Sequence, residues 1–130
     1  MSSAVFIAGP ASWNSIIVLD RLPEPEPHMQ FAQASWDTLG GTSAGKALSL
    51  TALGVPATLY ALAADDDHGS RVRSALASAG VETVWGQTEA TERHVNLMTA
   101  AGGRVSLYLS APSASATASR PWPPPWVGRS

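Results

Sequence analysis

Three short apolar runs, at residues 5–8, 57–63 and 81–85, alternate with segments whose apolar residues recur every three to four positions, and this alternation limits the folds open to the chain. A run too short for a helix but rich in Val, Ile and Leu is a buried strand, and a segment of helical period beside it must cover one face of the sheet. In the first helical segment Ala44, Ala47, Leu48, Leu50 and Leu53 recur at helical spacing, and Gly54 follows as terminator, which predicts a helix over about 43–53. In the second, Val72, Ala75, Leu76 and Ala79 lead to Gly80, and the Asp run before them suits a helix N-terminus. Strand, helix, strand, helix, strand is the order of an α/β domain with a parallel sheet.

Between the first strand and the first helix lies an excursion. Residues 15–22 are rich in Ile, Val and Leu and stop at the PEPEP run from Pro23, which favours an edge or excursion strand. Residues 31–39 alternate, with Ala32, Ala34, Trp36 and Thr38 on one side and Gln33, Ser35 and Asp37 on the other, predicting a half-exposed strand. Segments 94–99 and 104–109 flank AAGG, whose glycines supply the positive φ that a hairpin requires, so they are expected to pair antiparallel. Residue 5 begins a strand read as central, closed by Gly9 and Pro10. From Ala111 the periodicity ends in APSASATASRPWPPPWVGRS, a Ser/Ala/Pro/Trp-rich stretch whose composition does not support a core. Two units are expected: residues 1–110, folded, and 111–130, a disordered tail.

Composition removes several classes of function. With 8 basic and 10 acidic residues, a formal net charge of −2 and no Lys/Arg cluster, the chain offers no footprint for a phosphate backbone, so neither nucleic acid nor an anionic membrane is an expected partner. The apolar N-terminal run is too short for a membrane span or a signal sequence. There is no cysteine, which removes disulfides and thiolate metal sites and is compatible with a cytoplasmic protein. His28, His68 and His94 have no metal-ligand spacing and are assigned no role.

The segment GGTSAGKAL, from Gly40 to Leu48, matches the phosphate-binding pattern G-x-x-x-x-G-K-[ST] except that Ala47 stands where a Mg²⁺-ligating hydroxyl belongs. A working phosphate loop follows a buried parallel strand, and 31–39 is a poor one. Two alternatives stay open. The glycines permit a tight strand-to-helix turn, or they let a ligand approach backbone at a helix N-terminus. DDDHG admits a metal site or a helix cap, and the cap explains it better, because consecutive Asp residues do not all face one ion.

Taken in order, GPASWN, PEP, GGTSAGKALSLTALG, AADDDHG and TERHVNLMTAAGGR resemble the N-terminal half of the ribokinase-like (PfkB) carbohydrate kinase family, over about residues 4–110. The resemblance implies a partial ribokinase-like αβα sandwich with a small antiparallel β-lid, formed by 15–39 and 94–109. It implies a sugar or nucleoside substrate, ATP and Mg²⁺ for the whole kinase, and a possible homodimer through the lid, with Ile16, Val18 and Trp36 on the lid or interface surface. The substrate-binding positions it implies are Asn14, in the place of the family's Asp, Gly40 and Gly41 of the Gly-Gly turn, Gly45, where the family has Asn, and Ser12. Lys46 either reaches a substrate oxygen or is a solvated helix residue. The family's catalytic base and anion hole come from a Gly-Ala-Gly-Asp motif, and these 130 residues do not contain it. The expectation is therefore a truncated sugar-binding half, inactive alone, its last residues consistent with a truncated or frame-shifted reading. The alternative is a non-catalytic sugar-binding or dimerisation module; a small P-loop protein and a polyproline ligand at PWPPPW are lesser ones.

Overall fold

The computed structural model describes residues 5–112. Nine elements follow one another: β1 (Val5–Ala8), β2 (Ser12–Leu19), β3 (Ala34–Gly40), α1 (Thr42–Ala52), β4 (Ala57–Ala63), α2 (Asp67–Ser78), β5 (Glu82–Gln87), β6 (Arg93–Thr99) and β7 (Arg104–Ser110). They form two sheets, a parallel one of order β1-β4-β5 and a mixed one of order β3-β2-β6-β7.

β4 is the centre of the parallel sheet because its alternation is complete. Ala57, Leu59, Ala61 and Ala63 are buried, and small residues at 57, 61 and 63 let the helices approach closely. Against them pack Ala44 and Ala47 from α1 and Val72 and Leu76 from α2, joined by Val81 and Ala11. Fully burying a side chain such as Leu59 or Leu76 contributes about 1.5–3 kcal/mol. Both helices thus cover one face of the sheet. On the other face, among the described residues, Phe6 is 65% exposed and Val84 50%. The described residues therefore supply one helical layer and the sheet of the expected sandwich. Among the described residues β1, expected to be central, is at the sheet's edge: it pairs there with β4 alone, and its Val5 and Phe6 are exposed.

The second sheet is the expected lid, with its pairing refined. β2/β3 and β6/β7 are antiparallel, as anticipated for the hairpin, but β2 and β6 run parallel through the middle. β2, expected as an edge or excursion strand, belongs to the excursion and is interior in its sheet. It starts at Ser12 and ends at Leu19, so the PEPEP run lies beyond its last paired residue and removes no ladder donor. β3 was expected to bury one face, yet Ala34 to Asp37 are exposed throughout, Trp36 at 51%; only Thr38, Leu39 and Gly40, next to α1, are half-buried. An edge strand has a neighbour on one side only, and nothing described covers its far end.

Both helix ends follow the sequence signals. Gly54 and Gly80 take positive φ (76° and 78°) after the last turns. Asp66 caps α2, its Oδ1 accepting from the Gly69 amide at 2.7 Å. The tail, as a separate unit, lies from residue 113 onward outside the described residues.

Candidate functional site

The two sheets meet where the Gly-Gly turn enters α1. Gly41 has φ 97° and ψ 137°, a conformation that side chains other than glycine's rarely adopt, and it turns β3 from the second sheet into a helix lying on the first. A Cβ on Gly41 would sit 2.5 Å from the Pro10 carbonyl oxygen, in the loop after β1. α1 has no side-chain cap at its N-terminus. Because β3 is antiparallel and half-exposed, the loop lacks the buried parallel strand that aims a nucleotide phosphate loop, which leaves the turn-forming and ligand-approach roles.

Beside this turn lies a cavity of about 320 Å³, lined by Pro10, Gly41 and Thr42 from the turn and by Asn14, His94, Asn96 and neighbours from the second sheet. Its lining belongs to one sheet face. Asn14 on β2 stands opposite Thr38 on β3 and His94 on β6, and His94 stands opposite Tyr108 on β7. One step along, Asn96 lies between Ile16 and Ser106. Residues in register across a sheet share a face, so polar groups from three strands converge here.

Ser12 and Asn14 are buried and linked, the Ser12 hydroxyl donating to Asn14 Oδ1 at 2.8 Å. The Asn14 amide also lies against Gly40: a Cβ there would overlap Asn14 Nδ2. Gly40 thus makes room for Asn14, and Ser12 orients its carboxamide. The structure brings Ser12, Asn14, Gly40 and Gly41 together. It does not bring Gly45 to them. Gly45 and Lys46 are exposed on α1 and line a different depression, with Val5, Ile7 and Thr42. The first turn of α1 rotates position 45 toward β1, so neither the Gly45 backbone nor Lys46 is among the residues around Asn14.

Several cavity residues carried no sequence assignment. Glu92, His94 and Asn96 are all buried, at 9%, 8% and 7% exposure. Their signal was in the text: ERHVN alternates large polar residues with Arg93 and Val95, an unusual pattern for the inner face of a strand. His94 Nε2 lies 3.0 Å from Glu92 Oε2, outside hydrogen-bond geometry, so the contact is an ion pair only when the imidazole is protonated. The Tyr108 ring stacks on His94 with centroids 3.9 Å apart.

Asp66, read as a cap, has a second duty. Its oxygens also accept from the Thr91 hydroxyl at 2.7 Å and the Thr91 amide at 3.2 Å, and Thr91 Oγ1 accepts from the Ala64 amide at 3.0 Å. This ties the start of α2 to the entry of β6, and so one sheet to the other. Burial pushes the Asp66 carboxyl up, but the bonds from Thr91 and Gly69 and the nearby His68 outweigh it and hold it below its ordinary value. Asp66 is committed in this way, and among the described residues no group of three or more His, Asp or Glu is placed to hold a metal ion; no described residue is assigned to Mg²⁺ or ATP.

No family model matches the sequence. An ATP-dependent ribose-1-phosphate kinase from Halopiger xanaduensis is 36% identical over 78 residues, 60% of this chain and 26% of the relative. Among solved structures, the microbiome-derived acarbose kinase Mak1 superposes with a TM-score of 0.72 at 28% identity, over 83% of this chain and 36% of that one. Ribokinase from Cryptococcus neoformans var. grubii serotype A, in complex with ADP, gives 0.71 at 23% identity, over 83% and 34%. The chain spans about a quarter of the curated relative and about a third of these structures. No described helix is long and apolar enough to cross a membrane. In sequence over 78 residues, and in fold over 83–85% of its length, the chain is similar to part of the ribokinase-like (PfkB) carbohydrate kinases, an α/β fold with a second, mixed sheet.

Proposed function

We propose that the chain is the sugar-binding part of a ribokinase-like carbohydrate kinase, that the cavity beside the Gly-Gly turn receives the sugar, and that the isolated 130 residues bind without transferring phosphate. The observation that carries this is the convergence of Asn14, held by Ser12 and Gly40, with the Gly41 turn on one cavity of about 320 Å³. That volume is at the low end for small-molecule sites and suits a monosaccharide. Asn14 has donor and acceptor capacity left for hydroxyls once Ser12 has used one lone pair of Oδ1. Backbone close to the cavity at Gly41 adds fixed dipoles at the helix N-terminus.

Phosphoryl transfer also needs a base for the attacking hydroxyl and donors for the transferred group. The family supplies both from Gly-Ala-Gly-Asp, which these residues lack, so binding and orientation are what this chain contributes. The relative's name makes ribose 1-phosphate the first probe, with ribose, fructose and nucleosides beside it. In this proposal the folded unit is residues 1–110, with 111–130 apart from it, and the protein works in the cytoplasm on small molecules.

Calorimetric titration of the 130-residue chain against that panel tests the site. Saturable heat with at least one sugar is expected, and Asn14→Ala should abolish it; no saturable heat with any of them overturns the proposal. ATP-dependent turnover by the same chain would overturn its catalytic half. A dimerisation role is favoured by Trp36, Leu107 and Leu109, at 51%, 46% and 53% exposure on the lid's outer strands. Sedimentation should then show a dimer that Trp36→Lys dissociates, and a monomer at all concentrations removes that role.

A further inference from the structure

Within the second sheet, Asn96 is buried to all but 7% and lines the cavity, yet its Oδ1 finds no hydrogen-bond partner among the described residues. Buried polar atoms without partners are rare, since each carries an uncompensated desolvation cost. Ile16, beside it on β2, is apolar, and Ser106, beside it on β7, makes no bond to it, its hydroxyl instead accepting from Arg104 Nε at 3.2 Å. Strand β6 therefore holds an amide in an unfavourable place, next to a cavity that already gathers Asn14 and His94.

We propose that Asn96 is a ligand-contacting residue of this site, its carboxamide hydrogen-bonding a hydroxyl of a neutral polyol on the side of the cavity away from Gly41. The inference rests on the sugar site proposed above and adds a contact that neither the family resemblance nor the Gly-Gly turn assigns. A half-turn about Cβ–Cγ, a soft torsion, exchanges the two ends of the carboxamide, so either a donor or an acceptor meets the ligand. Asn14 on β2 and Asn96 on β6 then grip the ring from adjacent strands. His94, one row nearer the turn, is fixed by its stack on Tyr108 and walls the site between them.

The test compares Asn96→Leu, which keeps the branched shape and removes the hydrogen-bonding group, with Asn96→Ala, which also removes the bulk. Each is titrated with whichever of ribose and ribose 1-phosphate the unaltered chain binds, and each is melted without ligand. We expect affinity to fall about tenfold in both. The Asn96→Leu melting temperature should hold or rise, because an unpaired amide has been replaced by apolar surface. Unchanged affinity in either folded variant overturns the contact while leaving the sugar site standing. A lowered melting temperature in both variants, with affinity falling in parallel, makes Asn96 structural and also overturns it. If the unaltered chain binds neither sugar, the site itself fails and the contact with it.

Discussion

Gly40 and Gly45 sit five residues apart, one before and one inside α1, and replacing each by alanine should have opposite effects. At Gly40 the added Cβ would overlap the Asn14 amide, which is buried and bonded to Ser12 at 2.8 Å. Asn14 must then leave its rotamer. The loss is one buried hydrogen bond, about 0.5–1.5 kcal/mol, plus overpacking of about 1–3 kcal/mol. Together these come to about 1.5–4.5 kcal/mol. At Gly45 nothing lies within 4 Å of the added Cβ and the residue is helical, so alanine should stabilise by about 0.5–1 kcal/mol through helix propensity. For a domain of this size each kcal/mol moves the melting temperature by about 4–8 °C. Differential scanning calorimetry should therefore place Gly40→Ala at least about 6 °C below the unaltered chain, with Gly45→Ala a few degrees above it. Sugar titration should show Gly40→Ala without binding and Gly45→Ala unchanged. A Gly40→Ala variant that melts and binds normally would refute the packing of Asn14 on Gly40. A Gly45→Ala variant that loses binding would return that position to the site.

Further outcomes follow from other contacts. Asp66→Ala should cost about 1–2 kcal/mol for the cap alone, read by chemical denaturation, with more lost because the Thr91 amide and hydroxyl donors lose their acceptor. The Asp66 carboxyl is depressed in the folded chain, so its contribution is complete above the ordinary carboxylate value and disappears as pH falls through the folded one; acid melts of the unaltered chain should converge on those of Asp66→Ala. Leu76→Ala, in the fully buried centre of α2, should destabilise by about 2–5 kcal/mol in the same assay. Phe6→Lys, at a side chain 65% exposed on the uncovered sheet face, should change stability by less than about 0.5 kcal/mol and reduce aggregation measured by light scattering. A large loss of stability there would mean that something covers Phe6.

Local patterns in the text carried far. The span of β4, the Gly54 and Gly80 terminators, the Asp cap and the β6/β7 hairpin are each specified by neighbours a few residues apart, through period, backbone freedom or a side chain reaching its own helix. The site was half legible. Asn14, Gly40 and Gly41 lie together beside the turn, whereas Gly45 turns away because its direction depends on where α1 lies over the sheet. Glu92, His94 and Asn96 were passed over, though their alternation with Arg93 and Val95 placed them on a single strand face.

By itself the sequence determined the elements, their order and the turn that joins the two sheets, since these rest on short-range sterics and hydrophobic period. Only the tertiary structure decided that β2 lies inside its sheet and β1 at an edge, that β2 and β6 run parallel, and that Asn96 is left unpaired beside Asn14. Strand order and the satisfaction of a buried amide depend on residues distant in the chain, and period and propensity carry no record of which strands become neighbours.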